Sequence, residues 1–143
     1  MHLALVPPSS EFFDPIWPLV APELEKACRY SLGMHTLEST LHRLKAGACQ
    51  LWVVIDDARK IVASSTTSFL DFPSGMRAMM VELIGGDNPR VWFTVTDEME
   101  KWAASQGAQA TLFPVSRSMR DDFKNDGYKP GRYLMVKEHV SAA

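Results

Sequence analysis

A strand that breaks at a glycine pair and opens directly into a helix constrains this chain more than any other feature. The strand runs from Met76 to Ile84 and the break is Gly85-Gly86-Asp87-Asn88-Pro89. Behind it, Trp92, Val95, Met99 and Trp102 follow 3-4-3 spacing, which puts four large apolar side chains on one helical face. A helix that carries the chain away from one strand and into another is a crossover, so the strand behind it, Ala110 to Val115, is expected to pair in parallel. The glycine pair admits two readings. It is a plain strand-to-helix turn, or a cradle whose free N–H groups and helix dipole grip an anion.

The segments before this break form an antiparallel meander. Leu51 to Ile55 is a near-continuous apolar run, read as a central strand. Asp56-Asp57-Ala58-Arg59 is a hairpin turn, Lys60 to Leu70 a second strand, and Asp71 to Gly75 a second turn. Two helices precede the meander. Pro18 and Pro22 each delete a backbone hydrogen bond, which predicts a kinked or two-piece first helix, regular only from Pro22 to about Ser31. Thr36 is a plausible N-cap for the second helix, where Leu37, Leu41 and Leu44 form one stripe and Gly47 ends it. After Ala110 to Val115, Ser118 and Asp121 resemble a capping box, Met119 and Phe123 face inward, Gly127 stops that helix, and Tyr133 to Val136 is the last strand. The order is α-α-β-β-β-α-β-α-β, a mixed α/β (α+β) fold in a single domain over residues 1–143.

Composition excludes several classes. The chain has 143 residues, 46% of them hydrophobic, enough for a sizeable core. Fifteen basic against seventeen acidic residues give a net charge of -2 with no basic stripe, so nucleic acid is not an expected partner. No apolar run approaches the ~20 residues that span a bilayer, and no signal peptide is read in Met1 to Val6. A cytoplasmic location follows as the expectation. Cys28 and Cys49 have no metal or disulfide spacing, and the four histidines are scattered, so no metal is expected. The four tryptophans read as core or interface anchors.

The C-terminal stretch Asp122-Phe123-Lys124-Asn125-Asp126-Gly127-Tyr128, followed by Tyr133-Leu134-Met135-Val136-Lys137-Glu138, resembles the last helix, Gly-aromatic turn and final strand of the GNAT superfamily of acyl-CoA N-acyltransferases. The element order supports that resemblance over almost the whole length. Ile16-Trp17-Pro18, Leu24 and Gln50-Leu51-Trp52-Val53-Val54 are also similar to short GNAT-like proteins encoded by bacteriophages. The family resemblance implies a GNAT-like mixed sheet in which the third strand splays from the strand after the helix. The pantetheine arm of acetyl-CoA lies in that wedge, with the diphosphate at the break. Ile84, Gly85, Gly86, Asn88 and Arg90 occupy the matching place. The family's loop pattern, Arg or Gln, two residues, Gly, one residue, then Gly or Ala, is absent after Leu83, and Asp87 adds an opposing charge.

Acyl transfer to an amine needs a base for the ammonium and an acid for the thiolate. Glu82 lies where many members place a base. In an apolar run, desolvation raises its pKa; at an alternating position facing water it does nothing of the kind. The family's tyrosine acid corresponds here to Phe123, which has no proton to give; Tyr128 and Tyr133 are near in sequence, and Ser116 and Ser118 are stand-ins through water. Two functions therefore stand. One is acyl-CoA-dependent transfer to an amine, with a coenzyme A thioester and an amine acceptor as partners. The other is a catalytically inactive binding or assembly protein of the same fold, in a homo-oligomer or a phage assembly, in host cytoplasm or virion.

Overall fold

The computed structural model describes residues 1–115, 119–131, 135, 137 and 139. Five strands form one sheet in the order β1 to β5: β1 (His2–Leu5), β2 (Gln50–Ile55), β3 (Ile61–Asp71), β4 (Arg77–Gly85) and β5 (Ala110–Leu112). Neighbours are antiparallel except β4 and β5, which are parallel. The meander and the crossover thus form as the sequence implied. The expected last strand, Tyr133 to Val136, lies outside the described residues, as do Ser116 and Ser118.

β1 was not anticipated. It pairs with β2 from His2 against Ile55 to Leu5 against Trp52, and the amide of Val6 continues the pairing to the Leu51 carbonyl. Four residues carry too little periodicity to announce a strand, and the partner lies some fifty positions away.

Helix α1 (Phe13–Arg29) is continuous through both prolines, contrary to the two-piece expectation. Pro18 and Pro22 lie on its exposed side, where the carbonyls they leave unpaired face water. The opposite side, Phe13, Val20, Leu24 and Cys28, is buried against the sheet and keeps the helix continuous through them. Helix α2 (Leu37–Lys45) starts at Thr36 as expected, with a reciprocal cap between Thr36 and Ser39.

The helix after β4 is also altered. Pro89–Thr94 winds as a 3-10 helix, the backbone breaks at Val95, and α3 (Thr96–Ser105) follows. Trp92, Val95 and Met99 are still buried and Trp102 partly so, hence the apolar stripe survives the change of winding. Helix α4 (Arg120–Asn125) ends the described helices.

The sheet has a core on each face. α1 and α2 cover Leu51, Val53 and Leu83; the 3-10 segment and α3 cover Trp52, Val54, Met79 and Val81. Between them, β3 buries a polar run, Ser64 to Ser68. Such burial costs free energy where a partner is missing, as at Thr66 Oγ1 among the described residues. Thr67 accepts from the Trp52 indole (2.9 Å) and donates to Gln50 (2.8 Å), and Ser65 donates to the Leu83 carbonyl (2.8 Å).

Candidate functional site

The register of β3 against β4 contains one extra residue. Thr66 pairs with Leu83 and Thr67 with Val81, leaving Glu82 unmatched in a β-bulge. A bulge reverses the alternation of faces. Val81 belongs to the core under α3, Leu83 to the core under α1 and α2, and Ile84 again packs on the α3 side. Alternation from Val81 puts Glu82 toward α1 and α2, and the bulge adds Leu83 to that same face.

There it meets α2. Arg43 Nη1 and Nη2 donate to the two carboxylate oxygens at 2.8 and 2.7 Å, and Ser68 Oγ donates to Oε1 at 2.6 Å. The Glu82 side chain is 8% exposed and that of Arg43 30%. Burial alone pushes the carboxyl pKa up, but the bonds from Arg43 and Ser68 and the Arg43 charge outweigh it, so the group sits below the usual carboxylate range. Both readings of Glu82 are thus corrected: the side chain does not face water, and its neighbours supply a fixed cation that lowers the pKa. Arg43 and Ser68 were missed in the sequence. The available signal was that Arg43 stands three positions after Thr40, on the stripe of α2 that is buried.

One edge of β4 changes partner along its length. Ala78, Met79 and Met80 pair with Ala110, Thr111 and Leu112 of β5. Beyond Met80 no strand pairs with that edge among the described residues, while the other edge stays bonded to β3 as far as Gly85. Ile84 and Gly85 lie on this half-free stretch.

The glycine pair proves to be moulded by protein. A Cβ on Gly86, which has φ +124°, would come within 2.7 Å of the Val62 carbonyl oxygen. One on Gly85 would meet Glu23 and Ser64 at 3.0 Å. Both glycines are therefore required by close packing on β3 and α1. Asn88 accepts the Arg90 amide on its side-chain oxygen (3.1 Å), which caps one N–H of the turn. The amides of Gly86, Asp87 and Asn88 have no partner among the described residues. Arg90 is 72% exposed and its Nε reaches Asp122 of α4 at 3.3 Å. Gly86 and Asn88 also line a shallow groove of about 400 Å³ with Leu19, Glu23 and Lys60. Glu82 and Arg90 are not part of it.

Phe123 is buried in an aromatic cluster with Phe93, Phe113 and Tyr128, at centroid distances of 4.9, 4.7 and 5.4 Å. The Tyr128 hydroxyl donates to Glu100 of α3 at 2.5 Å, and burial together with that carboxylate pushes its pKa up. Thr96 donates to Asp126 at 2.9 Å. The Gly-aromatic turn is thereby docked onto α3. Tyr133, Ser116 and Ser118 lie outside the described residues. No group of side chains suited to a metal ion occurs among the described residues, and no described helix is long and apolar enough to cross a membrane.

Solved acetyltransferases share the overall fold of this chain. The chain aligns with a probable acetyltransferase at TM-score 0.73 and 11% identity, covering 100% of both chains. It aligns with a predicted acetyltransferase from Clostridium acetobutylicum, solved with acetyl-CoA, at TM-score 0.67 and 12% identity over 95% of each chain. A third match is glucosamine-6-phosphate N-acetyltransferase from Arabidopsis thaliana, at TM-score 0.65 and 14% identity, over 98% of this chain and 100% of that one. The fold is GNAT-like. No family model matches the sequence, and no curated protein matches it. The GNAT-like fold places Glu82, Ile84 and Gly85 on one bulged strand, with Gly86, Asn88 and Arg90 on the turn that leaves it.

Proposed function

We propose that this chain is an acyl-CoA-dependent N-acyltransferase that moves an acetyl group from acetyl-CoA to an amine. The observation that carries the reading is the half-free edge of β4 beyond Met80, beside the bulge that holds Glu82. An open strand edge offers alternating N–H and C=O groups, and the two amides of a pantetheine arm match it as an added strand does. In this reading Ile84 and Gly85 hold the arm through their main chain. The free amides of Gly86 and Asn88 and the Arg90 side chain face the diphosphate, with Asp87 opposing them.

The bound carrier supplies an activated acyl thioester. The amine nitrogen forms the new C–N bond as the C–S bond breaks, one proton leaves the ammonium, and one returns to the thiolate. Glu82 is proposed as the base for the first proton. Phe123 supplies no acid, so the thiolate takes its proton from water. A coenzyme A thioester and an amine are the implied partners, and such a donor places the work in the cytoplasm.

The test is calorimetry with coenzyme A and acetyl-CoA, followed by acetyl transfer to a panel of amines. Micromolar binding with amide shifts confined to Val81–Asn88 supports the reading, and absence of binding defeats it. A second reading is supported by the occupied Glu82 and by Phe123: a binding or assembly protein of the same fold without catalysis. Tight coenzyme A binding with no transfer to any amine favours that one. The solved structures carry the acetyltransferase side of the resemblance and not its bacteriophage side.

A further inference from the structure

We infer that Arg43 occupies the seat of the acceptor's ammonium group on Glu82, so that an amine binds only when α2 swings outward and withdraws the guanidinium. This rests on the acyltransferase reading and specifies how its acceptor site is controlled.

The geometry is specific. Glu82 accepts three protein hydrogen bonds, two from one guanidinium and one from Ser68, which leaves one lone-pair position for anything else. A cationic amine approaching the same carboxylate must displace a bidentate cation already in place. Arg43 is the group that can leave, because it is partly exposed while Glu82 and Ser68 are fixed on neighbouring strands of the sheet.

Within the helix that bears Arg43 only Thr40 and Leu44 are fully buried, so an outward swing uncovers one large core side chain and the partly buried Leu37 and Leu41. The cap of the helix is internal, between Thr36 and Ser39, and Thr40 donates to the Thr36 carbonyl of its own first turn (2.8 Å). Among the described residues, the Arg43–Glu82 pair is the sole side-chain hydrogen bonding from α2 to the sheet. Gly33 and Gly47 flank the helix at φ +80° and +75°, and a Cβ on either would meet nothing within 4 Å. Gly47 can therefore absorb a change of backbone angle, whereas Gly33 is bracketed by polar contacts of its own loop. The connection before α2 is held by a local clamp, in which Ser31 Oγ donates to the Cys28 carbonyl (2.6 Å) and accepts the His35 amide (3.1 Å).

The displacement also changes what Glu82 is. With Arg43 in place the carboxylate is held by a cation and is a poor proton acceptor. Once Arg43 has left, chiefly the Ser68 bond stands against burial, and the carboxylate holds a proton more readily than before. The same movement that admits the ammonium thus turns the carboxylate into a base.

The experiment is steady-state acetyl transfer by Arg43→Gln, Arg43→Lys and the wild type. If the closed state is in about tenfold excess, Arg43→Gln lowers KM for the amine about tenfold, with kcat less affected. Arg43→Lys, which cannot form the bidentate pair, falls between. Added guanidinium ion competes with the amine in Arg43→Gln and much less in the wild type. A KM that is unchanged or higher in Arg43→Gln overturns the inference while leaving the acyltransferase reading intact; no transfer and no acetyl-CoA binding defeats that reading instead. Hydrogen exchange gives a readout that needs no turnover. Amides of residues 37–45 are expected to exchange by local opening, and faster in the Arg43→Gln/Glu82→Gln double variant, which strands no buried charge. Exchange of α2 only together with β2 to β4, in both proteins, overturns the inference.

Discussion

The two halves of β4 differ more than any two strands of the sheet. From Arg77 to Met80 the strand has a partner on each edge, and Met79 is buried in the core under α3. From Val81 to Gly85 it carries a bulge, loses its β5 partner, and turns a carboxylate inward. The first half is stabilised mainly by burial, the second mainly by polar satisfaction. One strand thus serves as foundation and carries the candidate site, and a single inserted residue separates the two halves.

Substitutions in each half should break this contrast in different ways. Met79→Ala removes a fully buried side chain from the foundation and should cost about 4 kcal/mol by chemical denaturation. Arg43→Gln leaves the Glu82 carboxylate buried and unpaired, a loss of about 3 kcal/mol. The double variant Arg43→Gln/Glu82→Gln should recover much of that loss, and a double-mutant cycle measures the recovery. Gly86→Ala brings a methyl against the Val62 carbonyl at a positive φ and should cost roughly 2 kcal/mol, lowering the thermal midpoint.

A pH series sharpens the comparison further. The Glu82 pKa is lower in the folded chain than in the unfolded one. Its contribution is therefore complete above the ordinary carboxylate range and is lost as pH falls through that range toward the folded value. Denaturant midpoints should drop in that window for the wild type, and less for the double variant. The smallest effect is expected at Trp92. Its indole N–H is buried without a partner among the described residues, so Trp92→Phe removes an unsatisfied donor along with some packing, and the net change should stay within about 1 kcal/mol.

Local periodicity reveals some of this molecule and not the rest. Leu51 to Ile55, the Thr36 cap, and the stripe from Trp92 to Trp102 were legible because each is decided by neighbours in sequence. The 3-10 winding at Pro89–Thr94 was not, since the same stripe suits either helix. The continuity of α1 was hidden because a proline reads as a breaker whichever side of the helix it occupies. For the site, the position of Glu82 was legible and its chemistry was not. The bulge is a matter of register between two strands, and Arg43 lies 39 residues away on another element. The glycine pair was noticed for its openness; its actual neighbours, Val62 and Glu23, belong to segments that no local pattern connects to it.

That last contact shapes how anything docks beside the turn. Because Gly86 is seated on the backbone of β3 rather than waiting for cargo to mould it, the loop arrives at its working shape during folding. The diphosphate of the proposed function would then have little chain to immobilise there, and its affinity should depend weakly on temperature-driven loosening of that corner.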